Sequence, residues 1–194
     1  MTDKPDSAPF SLAEANSARL NTFRKNSDVV AGVEQISTLD CHTTLICMAY
    51  SGATWDLDGN PIRGTTLPFN GGPPRHFNCR SVLVPVTKTF RELGLNIDEP
   101  KSSTRASDEG QVSNKISFDD FLKRKGDAYA DEMLGKGRAD LWRSGKIRCR
   151  DLLNDNGNIL SLQELQAKFD NLEKPSRETH LQKASKPIAR NYVQ

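Results

Sequence analysis

Apolar residues in this chain come in short runs, and the polar residues between them mark where each run starts and stops. Ser11-Leu-Ala-Glu14 has the spacing of a capping box, in which a hydroxyl and a carboxylate satisfy each other's free amides. It predicts a helix running to about Lys25, broken by Asn26-Ser-Asp28. Val33–Leu39 alternates poorly but is β-branched enough to form a strand. Thr44–Tyr50 predicts a short helix ended by Gly52. Ala53–Trp55 and Pro61–Arg63 flank Asp58-Gly-Asn60, a tight-turn sequence that fits a β-hairpin. Thr65–Pro74 is Gly/Pro-rich loop. Ser81–Val86 is the strongest strand pattern in the chain, and a short helix is expected behind it at Thr87–Leu93.

Beyond a polar connection at 96–116 the period changes. Ser117-Phe-Asp-Asp120 repeats the capping-box spacing and opens a helix to Lys125. Asp127–Leu134 and Gly137–Arg143 read as two more, punctuated by Gly135, Gly137 and Gly145. Arg150–Leu153 begins a short turn, Asn154-Asp-Asn-Gly157 is a turn, and Ser161-Leu-Gln-Glu164 caps a last helix to Phe169. No internal repeat is present. The pattern predicts an α+β fold: a small antiparallel or mixed sheet with several short helices and a helical C-terminal half. The expected divisions are a disordered N-terminus at 1–10, an α+β domain at 11–95, the connection at 96–116, a helical region at 117–170 and a flexible tail at 171–194.

Composition narrows the picture. With 194 residues, 36% of them hydrophobic, and a mean hydropathy of −0.62, the chain has room for one modest core plus polar segments. No apolar run is long enough to span a bilayer, and the N-terminus lacks a basic stretch followed by an apolar one. The expectation is a soluble protein made in the cytoplasm, with no membrane partner. Four irregularly spaced cysteines (Cys41, Cys47, Cys79 and Cys149) suit thiols or metal ligands better than a disulfide framework. The net charge of +2 decides little, but Lys136–Arg150 holds six basic residues against the single acid Asp140. There Arg138, Arg143, Lys146, Arg148 and Arg150 are candidates for non-specific phosphate contacts with DNA, although a solvated basic helix face has the same composition. Trp142, Leu134 and Leu141 are expected to anchor this region in the core.

Two clusters stand out: Ser37-Thr-Leu-Asp-Cys-His-Thr-Thr-Leu-Ile-Cys-Met-Ala-Tyr-Ser-Gly52, and Gly72-Pro-Pro-Arg-His-Phe-Asn-Cys-Arg-Ser81 running into Val82–Val86. Together they resemble the signature of the Mu F-like minor head proteins of tailed phages. In that family a strand ends in Asp-x-Arg-Thr, a Cys follows, and Pro-Pro-x-His-x-x-Cys-Arg leads into a strand ending in Pro-Val. Asp40, Thr43, Cys47, Gly52, Pro74, His76, Cys79, Arg80 and Ser81 are the positions here that carry the signature or stand at its places. Arg105–Gln111, Phe118–Lys125 and Met133–Lys146 resemble the region next in order in one branch of the family. His42 stands in place of the family's Arg, Thr44 opens what is often Cys-Pro-x-Cys, and Ser81 replaces a second Cys. Only about 35 residues precede the signature, where members usually carry a long helical segment. The resemblance implies a non-enzymatic head-morphogenesis component with portal, scaffold or major capsid protein as partners, located in the bacterial host cytoplasm during assembly and then in the virion head. The short leading segment raises a further reading, a shortened form that interferes with or redirects head assembly.

Chemistry offers rival readings of the same residues. Cys47, His76 and Cys79 can bind zinc, with Asp40, Cys41 or His42 as possible fourth donors; alternatively the cysteines are small buried apolar groups and His76 a hydrogen-bonded strut. Asp40, His42, His76 and Arg80 have the residue types of a metal-independent nuclease, but Asp40 pairing with Arg80 to order a loop is the simpler account, and no nucleophile–base–orienter set is legible. No serine sits in a Gly-x-Ser-x-Gly elbow. Asp56-Leu-Asp-Gly59 and Asn154-Asp-Asn-Gly157 superficially suggest calcium loops, but in the second Leu152 and Gln163 stand where the two essential carboxylates would be, and both segments are expected to be turns.

Overall fold

The computed structural model describes residues 11–99 and 103–173. The expected disorder of 1–10 and most of the expected tail lie outside the described residues. To Ile159 the described chain is one compact unit; the helix from Leu162 belongs to a second.

Helix α1 (Leu12–Lys25) starts as its sequence demands. Ser11 Oγ accepts from the Glu14 amide at 3.2 Å while the Glu14 carboxylate takes the Ser11 amide at 2.8 Å. Strand β1 (Val30–Ile36) begins three residues earlier than the β-branched run suggested. It is the centre of a three-stranded antiparallel sheet ordered β2–β1–β3, with β2 at Thr54–Trp55 and β3 at Val82–Thr87. Gly32 permits the tight approach of β2: a Cβ there would run into the Trp55 carbonyl oxygen. The expected hairpin is present, with Trp55 bridging Pro61 and Asp56 closing the turn through its carboxylate. Between β1 and β2, helix α2 (Leu45–Tyr50) ends where Gly52 takes a positive φ of 87° and returns its amide to the Gln35 carbonyl at 2.8 Å.

The core of this half is aromatic. Trp55 is fully buried, donates Nε1–H to the Leu67 carbonyl at 2.8 Å and packs on Phe69 and Tyr50; Val33, Leu39, Met48 and Leu83 are buried as well. At the outer edge of β3 a side chain of α1 stands where a strand would. Asn16 is buried, its Nδ2 donates to the Ser81 carbonyl and its Oδ1 accepts from the Leu83 amide at 3.0 Å.

Two stretches differ from expectation. Thr87–Leu93 is not a helix. Thr89 and Glu92 make the reciprocal bonds of a helix start, but Leu95 already closes back on the Phe90 carbonyl at 2.7 Å around Gly94, so the turn ends before a helix can propagate. The connection at 96–116 contains a hairpin, β4 (Thr104–Ser107) and β5 (Gly110–Ser113). Arg105 on β4 is buried and donates to the Ser37 carbonyl, Ser51 Oγ and the Ile116 carbonyl. Leu39 adds two backbone bonds, to Ala106 and from Asp108. The hairpin is therefore clamped to the end of β1, and through Ile116 to the start of the helical half.

Helices α3 (Phe118–Lys125), α4 (Asp127–Leu134) and α5 (Lys136–Arg143) pack in series through Phe121, Leu122, Ala130, Leu134 and Ala139. A 3₁₀ turn at Cys149–Leu152 packs on α2. Asp119 Oδ1 takes both the Trp142 indole N–H, at 2.8 Å, and the Cys149 amide, at 3.0 Å, which locks α3, α5 and the turn together. Trp142 and Leu134 are buried as expected, whereas Leu141 is only half-buried. In the second unit, Ser161 and Glu164 open α6 (Leu162–Glu173), which runs past the expected end at Phe169. The fold is α+β, and among the described residues no helix is long and apolar enough to cross a membrane.

Candidate metal centre

The sheet and α2 bring together the two sequence clusters that stood out. Cys47 lies in the first half of α2, facing inward, and is buried. His76 and Cys79 come from the loop after Pro73-Pro74, whose peptide bond is cis, and before β3. A tight turn joins them: the Cys79 amide donates to the His76 carbonyl at 3.2 Å, and Asn78 takes the left-handed conformation (φ 57°) that Asn tolerates better than most residues. Cys47 Sγ lies 3.1 Å from His76 Nε2 and 3.5 Å from Cys79 Sγ. Among the described residues this is the set of His, Cys, Asp or Glu donors whose ligand atoms all lie within 4.8 Å of one another, and it can hold a metal ion.

The imidazole is oriented for that task. Its Nδ1 lies 2.6 Å from the Phe77 carbonyl oxygen. A carbonyl only accepts, so Nδ1 carries a proton, which directs Nε2, the other ring nitrogen, at Cys47 as the ligand atom. The two thiols titrate as a pair. Their mutual hydrogen bond, reinforced by burial, pushes Cys47 up; the same bond pulls Cys79 down against its own burial, helped by the Arg75 and Ser81 amides. One thiolate in the pair is thus already favoured before any metal arrives.

Around the cluster lie two supports. Asp40 and Arg80 form a two-pronged ion pair, Nη1 to Oδ2 at 2.6 Å and Nη2 to Oδ1 at 2.7 Å. Asp40 Oδ1 also accepts from the His42 amide and from Thr43 Oγ1. Burial alone would raise the Asp40 carboxyl, but these bonds outweigh it and the net shift is downward. Behind the cysteines, Ser81 Oγ meets Ser37 Oγ at 2.8 Å, and Ser37 Oγ donates to the Cys47 carbonyl at 2.9 Å, so a buried hydroxyl relay joins β1, α2 and β3.

Sequence reasoning placed Cys47, His76 and Cys79 together correctly and anticipated the Asp40–Arg80 pair. Asp40, offered as a further ligand, lies outside that close donor set, with both oxygens bonded to Arg80. His42 and Cys41 are exposed and stand outside the ligand set. Gly52 and Thr43 hold backbone geometry, and Pro74 leads into the knuckle loop. Arg75 was missed. Its guanidinium stacks 3.7 Å over the Tyr50 ring, donates to Gln35 Oε1 at 3.0 Å and to the Phe69 carbonyl at 2.9 Å, and so fixes the start of the His76 loop. Its only sequence signal is a cation next to His76.

The basic stretch is less available than its composition implies. Arg143 pairs with Asp131 at 2.8 Å and Asp140 at 2.5 Å, and Arg148 lies 3.8 Å from Asp151. Arg138 is half-buried, while Lys146 and Arg150 are exposed. Arg143, Arg148 and Arg150 border a cavity of about 880 Å³ whose walls also carry Arg63 and Lys123, with Asp119, Asp120 and Asp151 set among these basic groups. Compared with family models, curated proteins and solved structures, the chain matches none.

Proposed function

We propose that this chain is a structural component of a tailed-phage head, acting in head morphogenesis, and that its Cys47–His76–Cys79 centre holds zinc as a fold staple. One observation carries the reading. The two separate segments that resemble the minor head signature meet through the Asp40–Arg80 pair and the cysteine–histidine cluster, so the residues that carry the resemblance are spent on joining α2 to the start of β3.

Zinc suits the donors. Two thiolates and a neutral imidazole are soft and borderline ligands, and tetrahedral zinc with bonds of roughly 2.3 Å to sulfur and 2.0 Å to nitrogen sets S–S and S–N edges of about 3.8 and 3.5 Å. The observed 3.5 and 3.1 Å need to open by only a few tenths of an ångström. When bound, zinc would cross-link the helix and the loop, stabilising the fold as structural zinc does elsewhere.

A nuclease reading finds less support. His76 has Nδ1 against the Phe77 carbonyl and Nε2 against Cys47 rather than facing a substrate hydroxyl, and Arg80 is committed to Asp40. The test is coexpression with the portal, scaffold and major capsid genes of one phage. The chain is expected to cosediment with assembled heads in wild-type form, and to lose that association when Asp40→Ala and Cys79→Ser are combined. Heads that assemble without it, or RNA or DNA cleavage in chelator that His76→Ala abolishes, would sink the structural reading.

A further inference from the structure

A metal held by Cys47, His76 and Cys79 has three protein donors, and the surroundings of the fourth vertex are distinctive. Apart from His42, each nearby donor is committed or exposed. Asp40 has both oxygens on Arg80, with Oδ1 further bonded to the His42 amide and Thr43 Oγ1. Ser81 Oγ is engaged with Ser37 Oγ at 2.8 Å. Cys41 is exposed. His42 is exposed too, and it lines a small opening together with Cys47 and His76.

That opening decides the matter. It is lined by Cys47 and His76 of the cluster together with Thr38, His42, Thr43, Asn78, Arg80 and Ser81, and its volume is about 10 Å³. Such a space is about what one water molecule needs, and a polar lining is what keeps such a water in place. Charge adds a constraint. Two thiolates neutralise a divalent ion, and Arg80 is neutralised by Asp40, so nothing there requires a highly charged ligand or repels a small anion.

We propose that the metal keeps its fourth coordination position for an exchangeable, water-sized ligand seated in this opening, either water itself or a small monoanion bound through one atom. The inference rests on the zinc reading above and gives it a chemical character: a centre with three protein ligands and an open position, the arrangement zinc enzymes use, within a chain whose proposed role is structural.

The experiment is X-ray absorption on the full chain loaded with zinc, then an azide titration of the cobalt(II)-substituted chain. The expected first shell has two sulfur atoms at roughly 2.3 Å and two nitrogen or oxygen atoms near 2.0 Å, with outer-shell scattering from one imidazole. Azide is expected to shift the visible cobalt bands saturably, at one per metal, in both the wild type and His42→Ala. Scattering from two imidazoles, or a cobalt spectrum altered by His42→Ala before azide is added, would mean that His42 closes the site and would overturn the proposal. Three or more sulfurs, or bands indifferent to azide, would overturn it as well. A chain that retains no metal is a separate result: it removes the zinc reading itself, and the absence of a metal edge identifies that failure directly.

Discussion

Arg80 grips Asp40 through both terminal nitrogens, at 2.6 and 2.7 Å, across 40 residues of sequence. The pair joins the loop before α2 to the loop before β3, beside the cluster. Asp40 is 11% exposed and Arg80 44%, so water screens one partner and not the other. Arg80→Lys keeps the charge but loses the fork, and is expected to cost about 1–2 kcal/mol. Asp40→Ala strands several donors at once and is expected to cost about 2–4 kcal/mol. Urea unfolding measures both, and wild-type stability in either variant would show that the pair holds nothing.

The same carboxylate sets a pH dependence. Its folded pKa lies below the ordinary 3.8, so its contribution is complete above that value and is lost as pH falls through the folded pKa. The stability difference between wild type and Asp40→Asn is therefore expected to be constant from neutral pH to about 5 and to shrink on further acidification. A difference that stays flat down to pH ~2 would place the stabilisation elsewhere.

Gly32→Ala puts a methyl group into the Trp55 carbonyl, which belongs to the backbone and cannot swing away. Strand β2 must shift off β1, at about 1–3 kcal/mol, and the near-ultraviolet circular dichroism of the buried Trp55 should change with it. An unaltered spectrum at unaltered stability would show that β2 sits farther out.

Zinc binding should appear as thermal stabilisation. At a free concentration a hundredfold above its dissociation constant, zinc adds about 2.7 kcal/mol, or roughly 5–10 °C in Tm for a chain of this size. Cys47→Ser and Cys79→Ser should each abolish most of that gain while chelator-treated wild type loses all of it. A gain that survives in both variants would assign the metal to other residues.

Much of the fold was legible because it is local. Ser11 with Glu14, Ser117 with Asp120 and Ser161 with Glu164 each announce a helix within four residues, and Asp56 closes a turn that its own neighbours specify. The β4–β5 hairpin was not legible. Its strands carry few apolar residues, and it is held by Arg105 reaching back to Ser37 and Ser51, contacts that depend on the finished sheet. The site divides the same way. His76 and Cys79 are three apart, and that spacing suggests a metal knuckle; Cys47 and the Asp40–Arg80 pair followed from the segments Ser37–Gly52 and Gly72–Ser81. The stacking of Arg75 on Tyr50, the Ser37–Ser81 relay and the small opening beside His42 exist only once distant segments meet.

Asn16 gives the outer edge of β3 an amide that imitates a neighbouring strand, taking the Leu83 N–H and answering the Ser81 carbonyl. A strand edge capped by a side chain can be uncapped by moving a helix, whereas an edge zipped to another strand cannot. Undocking α1 would bare the Leu83 amide and the Ser81 carbonyl at the outer edge of β3, immediately after Cys79 and Arg80, so the first helix also serves as that strand's edge protection.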